Sequence, residues 1–274
     1  MTVCVGAICC DVKGAPGQAV VVASDRMVTM GGLTEFEHDV PKITALSDRI
    51  VTLVAGDALR GSELVRLVGG LPADAQVRPT AQLLALRYAE LRRAVVEAFV
   101  LIPRGLSLAE FYQGGVQQRL IPPVAGSIDQ EIARFDLGLE VLVAGVDSQG
   151  GHLLNARNPG GVVDDLDPIG FHAVGSGALH AVQSMIGFSH APNRPLHETV
   201  FRAFASKRRA EIAPGVGHTT DLWVIQAAGV TKLSVSTLEA LDALYTEYAL
   251  PAREELDRRI KDFDFTAPPN GSAA

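Results

Sequence analysis

Residues 2–10 read TVCVGAICC and residues 18–24 read QAVVVAS. Both runs are short, apolar and rich in valine. Branched side chains suit a pleated, packed surface, so each run predicts a buried strand. Between them, Lys13-Gly14-Ala15-Pro16-Gly17 has the composition of a tight turn. The two strands therefore pair as a hairpin that begins at Thr2.

Working outward, residues 26–41 read as loop, punctuated by Gly31-Gly32 and Pro41. Residues 42–46 and 49–55 form a second pair of strands around a Ser47-Asp48 turn. The apolar spacing then becomes helical over 57–69 and 80–101, with Thr80 after Pro79 as an N-cap. Residues 103–137 are broken by Pro103, Pro122, Pro123 and Gly114-Gly115, and carry one short helix near 107–118. Strands return at 138–146 and 151–156 around an Asp147–Gly150 turn, and again at 169–174. The intervening 159–168, with three aspartates, is a surface connection; Asp164, Asp165 and Asp167 lack the spacing of a calcium loop and form a solvated turn. Helices follow at 177–189 and 196–210, the latter ending in a solvated Lys207-Arg208-Arg209 run. A last hairpin spans 221–228 and 231–236 around Gly229. A charged amphipathic helix covers 238–262, before a disordered TAPPNGSAA end. Segregated runs of strands and helices indicate an α+β fold. The domain division is 1–237 and 238–274.

Composition narrows the function classes. The 274 residues are 47% hydrophobic and 20% charged, with a net charge of −7. That is a globular chain, and its acidity argues against nucleic acid as a partner. The longest apolar runs, such as Ile50–Ala55, are too short to span a bilayer, and the first residues lack the basic region of a secretion signal. Cys4, Cys9 and Cys10 are an odd number, two of them adjacent, which fits a reducing compartment such as the cytoplasm and small buried side chains on a strand. Seven histidines fall without ligand spacing, so neither a metal nor a cofactor is expected.

The chemistry is sought at Thr2. Removal of Met1 would give Thr2 a free α-amine with a reference pKa of about 7.7–8, able to accept the proton of its own hydroxyl. Asp25 ends the strand beside that of Thr2, and Lys42 opens the next strand. A lysine there would lower the pKa of amine and hydroxyl by charge, and the carboxylate would keep it charged and oriented.

Thr2-Val3, VVVASDRMVT at 20–29, Lys42-Ile43 and LVAGD at 53–57 are followed by VLVAGVD at 141–147, GGVVDD at 160–165, HAVGSGALHA at 172–181 and GHTTDLWVI at 217–225. In that order, over residues 2–236, they resemble the proteasome β-subunit family, including HslV-like bacterial ring peptidases, which are N-terminal nucleophile (Ntn) hydrolases. The resemblance implies a four-layer αββα sandwich. It also implies a threonine-type peptidase acting on unfolded polypeptides within a homo-oligomeric ring that an ATP-dependent unfoldase could serve. By it, Thr2 matches the nucleophile, Lys42 the lysine, Asp25 the carboxylate that orients it and Ser176 the serine that bonds the terminal amine. Thr29 matches the position whose backbone pairs with extended substrate.

Three departures stand out. Where the family places its oxyanion donor, this chain reads Val51 to Gly56, leaving Leu53 or Gly56 as the backbone donor. Where the family has an aspartate after the second late helix, this chain has Glu211, either a substitute or a solvated residue. The 103–137 insertion and the 238–274 tail exceed the family core. Two rival readings remain: a catalytically silent ring subunit, favoured if Met1 stays on, and a non-proteolytic amidase acting on a small amide.

Overall fold

The structure, a computed structural model, describes residues 2–11, 18–30, 34–39, 41–72 and 74–261. The expected turn at 13–17, Gly31-Gly32, the fate of Met1 and the 266–274 end lie outside these residues. The chain divides into two compact units, Met1–Leu233 and Ser234–Ala274.

Strands β1 (Cys4–Cys9) and β2 (Ala19–Asp25) pair antiparallel from Cys4↔Ser24 to Cys9↔Ala19, and every residue in them is buried. Alternation explains why both are unbroken apolar runs. Cys4, Ile8, Val20 and Val22 enter one core cluster, while Val3 and Val5 enter another.

The region expected to be loop contains a ribbon, β3 (Met27–Met30) with β4 (Thr34–Glu37), in register Met27↔Glu37. Its second strand, TEFE, is polar and ends on exposed Phe36 and Glu37, so it lacks the apolar signal of a buried strand. Next come β5 (Ile43–Ala45), β6 (Ile50–Gly56), α1 (Ala58–Val68) and α2 (Val77–Val96). Helix α2 starts before Thr80. Asp147 accepts the Val77 N–H at 3.0 Å, and Thr80 bonds back to the Gln76 carbonyl at 2.8 Å. A cap contributed from 70 residues away leaves no local mark.

The 103–137 stretch holds three helices where one was expected: α3 (Leu108–Tyr112), α4 (Val116–Arg119) and α5 (Pro122–Arg134). Pro122 and Pro123, read as breakers, occupy the first turn of α5, where a missing N–H costs nothing. Phe111, Ile128 and Ile132 pack there against Val96, Val100 and Leu101.

The remaining elements of the first unit are β7 (Leu139–Asp147), β8 (Gly150–Arg157), β9 (Val163–Asp165), β10 (Phe171–Val174), α6 (Ala178–Gly187), α7 (Leu196–Ala210), β11 (Thr220–Gln226) and β12 (Gly229–Lys232). The second unit holds α8 (Val235–Lys261). The aspartates at 164–167 are not a merely solvated turn. Asp165 lies in β9, and Asp167 accepts from buried His152 and from Arg78, both at 2.6 Å.

The fold is mixed α+β with antiparallel sheets. One sheet has the order β10-β1-β2-β11-β12 and the other β5-β6-β7-β8-β9. A shared core joins them, with Ile8, Val22 and Trp223 from the first against Leu53, Leu142 and Leu153 from the second. Gly6 permits that approach: a Cβ there would stand 2.6 Å from Leu153 Cδ1. Helices α1 and α2 cover the other face of β6–β8, and α6 and α7 pack against β1 and β10. No described helix is long and apolar enough to cross a membrane.

Candidate functional site

Four chain segments end at one point. Thr2 leads into β1, Asp25 closes β2, Lys42 precedes β5, and Ser176 follows β10. The Asp25 N–H bonds the Val3 carbonyl at 3.2 Å, and the Val54 N–H bonds the Lys42 carbonyl at 3.2 Å, so the backbones of Asp25 and Lys42 are fixed by neighbouring strands. Ser176 lies between two glycines with distinct tasks. Gly175 has φ +93° and a Cβ there would meet the Thr2 carbonyl oxygen at 2.5 Å, while one on Gly177 would meet Val3 at 3.0 Å. Only glycine lets this turn pass so close to the start of β1.

The side chains converge. Thr2 Oγ1 donates to Asp25 Oδ1 at 2.5 Å and accepts from Lys42 Nζ, which also bonds Asp25 Oδ1 at 2.8 Å. The Thr2 nitrogen donates to Ser176 Oγ at 3.0 Å, and Ser176 Oγ donates to the Thr2 carbonyl at 3.2 Å. Asp25, fully buried, takes three more donors: Val3 N–H at 2.9 Å, Met27 N–H at 3.0 Å and Gly217 N–H at 2.9 Å. Burial alone would raise its pKa. The charge of Lys42, with bonds from Lys42, Thr2 and Gly217, outweighs burial and holds the carboxyl below its ordinary range. Asp25 is thus a fixed anion and a poor base at neutral pH.

Cys4 is the other nucleophile type nearby. Burial pushes its thiol to about 12, so it remains protonated and unreactive at neutral pH.

The two candidate oxyanion donors have different surroundings. Leu53 is fully buried in the core between the sheets. Because the Val54 N–H points to β5, strand alternation turns the Leu53 N–H toward β7, opposite Leu142. The same alternation aims the Gly56 N–H at the β5 side, where Lys42 stands. Gly56 and Lys42 share the lining of a cavity of about 480 Å³ walled by Met27, Val28, Phe36, Val54 and Val65. Thr29 lies in β3 opposite Glu35, with its side chain outside those described.

Glu211 caps the end of α7. Its Oε1 accepts from Lys207 at 2.7 Å, and its Oε2 accepts from Arg208 at 2.7 Å and contacts His218 Nδ1 at 2.8 Å. It does not touch Thr2 directly; the path runs through Lys207 and the 217–218 backbone. Here the expected solvated basic run is corrected, because the Lys207 side chain is fully buried. Its signal was present: Thr199, Ala203, Lys207 and Ala210 recur at helical spacing on one face, and all are buried. Glu140 was also missed. It reaches from β7 to accept the Gly175 N–H at 2.9 Å and so helps hold the Ser176 turn.

Among the described residues, no cluster of His, Cys, Asp or Glu could hold a metal ion. No protein-family model matches the chain, and no curated protein matches it.

Proposed function

We propose that this chain is a threonine-type Ntn hydrolase that cleaves peptide bonds, working once Met1 has been removed. The observation that carries the reading is the placement of Thr2 Oγ1 between Lys42 Nζ and Asp25 Oδ1, with the Thr2 nitrogen on Ser176 Oγ. In the mature chain the α-amine takes the hydroxyl proton as Oγ1 attacks the carbonyl carbon. The amine then passes that proton to the leaving nitrogen as the C–N bond breaks, and water hydrolyses the resulting ester. Lys42 favours the developing alkoxide by charge, and Asp25 anchors Lys42. The Gly56 N–H faces the developing oxyanion. The cavity beside Lys42 takes an apolar side chain of the substrate, whose extended backbone lies along β3 at Thr29.

The sheet-to-sheet core with helices on the outer faces supports a four-layer αββα sandwich of the proteasome-like kind. On that reading the chain assembles as a homo-oligomeric ring, an outcome checked by light scattering.

The test pairs intact-mass measurement of the purified protein with peptide turnover. A chain one methionine lighter should cleave an unstructured peptide, and Thr2→Ala should not. Equal turnover by Thr2→Ala would overturn the mechanism.

A further inference from the structure

Lys207 has no part in the chemistry above, yet its side chain is fully buried. A buried cation must be fully paired to be tolerated. Three acceptors meet Nζ: Glu211 Oε1 at 2.7 Å, the Gly217 carbonyl at 2.8 Å and the His218 carbonyl at 2.8 Å. Two of these belong to the loop between α7 and β11, so the ammonium group clamps that loop. Gly217 is then held from both sides. Its carbonyl faces Lys207 and its N–H donates to Asp25 Oδ2 at 2.9 Å. A Cβ at this position would meet Glu37 Oε1 at 2.5 Å and Met27 at 3.2 Å, so a side chain there would displace the Glu37 carboxylate and crowd β3. Further back in the same loop, the Pro214 carbonyl lies 3.5 Å from Ser176 Oγ, the acceptor of the Thr2 N–H. One loop thus backs two groups that touch Thr2.

We propose that Lys207 is a positioning residue for the Thr2 centre: by clamping the Gly217 and His218 carbonyls it keeps the Gly217 N–H on Asp25 and holds that carboxylate in place against Lys42 and the Thr2 hydroxyl. This rests on the reading of Thr2 as nucleophile. The charged groups around the clamp come from every side. Arg208 lies on α7 and Glu211 caps it, with exposed His218 on Glu211. Asp25 closes β2 and Lys42 bonds it. Glu37 of β4 takes the Thr219 N–H at 2.8 Å, and Asp221 of β11 is engaged by Arg26 at 2.6 Å. Burial lowers the Lys207 pKa, Glu211 and Asp25 oppose that shift, and Arg208 adds to it. Without Lys207, Asp25 loses a nearby cation and a firmly held donor, so its pKa must rise.

The test is made on the full chain with Met1 removed. In Lys207→Met, kcat should fall roughly 10- to 100-fold, the size expected when a reacting group shifts without loss of binding, while KM changes little. The acid limb of the kcat profile should move to higher pH, and the Asp25 carboxyl, followed by carbon-13 NMR, should titrate higher than in wild type. Lys207→Arg should recover part of both. A folded Lys207→Met with wild-type kcat and an unshifted Asp25 titration would overturn the assignment. If Lys207→Met does not fold, Lys207→Gln, which keeps two donors for the loop carbonyls, is read in the same way. If neither folds, Lys207 is a folding residue and the assignment fails. Absence of Thr2-dependent turnover in wild type would instead sink the hydrolase reading, and the Asp25 titration would still decide whether Lys207 holds that carboxylate.

Discussion

Asp25 takes five hydrogen bonds on two oxygens, from Thr2, Lys42 and the N–H groups of Val3, Met27 and Gly217. An amide in its place turns an NH2 group toward donors and removes the charge opposite Lys42. On the proposed hydrolase reading, Asp25→Asn should abolish turnover; independently of that reading, it should destabilise the fold by about 3–5 kcal/mol, as when one partner of a buried pair is removed. The pH dependence follows from the lowered pKa. This stabilisation is present above the unfolded value near 3.9 and is lost as pH falls through the folded value. Urea midpoints between pH 2 and 6 should drop more steeply toward acid in wild type than in Asp25→Asn. Thr2, Asp25 and Lys42 were legible from their places at the ends of strands, and Ser176 only through the family resemblance. The burial of Lys207 was marked by the helical spacing of α7, but its role and that of Gly217 were not, because those roles run through backbone carbonyl and N–H groups, which residue type does not mark.

At the scale of elements, the cap of α2 and the tie between β8 and the segment that follows β9 come from one cluster. His152 Nδ1 faces Asp167 at 2.6 Å and Nε2 faces Asp147 at 3.1 Å. Asp147 caps α2 through Val77, so Asp147→Ala should cost about 1–3 kcal/mol in urea unfolding through the lost cap and an exposed buried donor. The bond to Asp167 is the first cause that raises the His152 pKa, against desolvation. Its contribution is therefore full below about 6.5 and fades as pH rises through the higher folded value. Melting temperatures should fall from pH 6 to pH 9 in wild type, and less so in His152→Gln. Elements such as β1, β2, β6 and β7 were readable because their apolar runs are uninterrupted. The start of α2 and the β3–β4 ribbon were not, because a distant carboxylate sets the first and the second has a polar second strand.

For the whole molecule, the separation of the two sheets depends on Gly6 facing Leu153. Gly6→Ala should destabilise by about 1–3 kcal/mol through overpacking, and Leu153→Ala alone by about 2–5 kcal/mol through a cavity. Together they should cost less than their sum, because the truncated leucine leaves room for the new methyl group. A double-mutant cycle in urea reads this directly, and strict additivity would show that the sheets part elsewhere. The layering was legible only as an order of strands and helices; the sheet spacing was not, since a glycine in an apolar run reads the same whether it faces a sheet or a helix.

The five-fold grip on Asp25 has a consequence for how this protein can lose its chemistry. A residue that is both joint and charge cannot be altered quietly, because the cell would clear the loosened chain before an idle one accumulated. Among random variants that remain abundant yet inert, substitutions should concentrate at Thr2 and be scarce at Asp25 and at its largely buried partner Lys42. Sequencing a library sorted first for protein level and then for lost activity would reveal that imbalance.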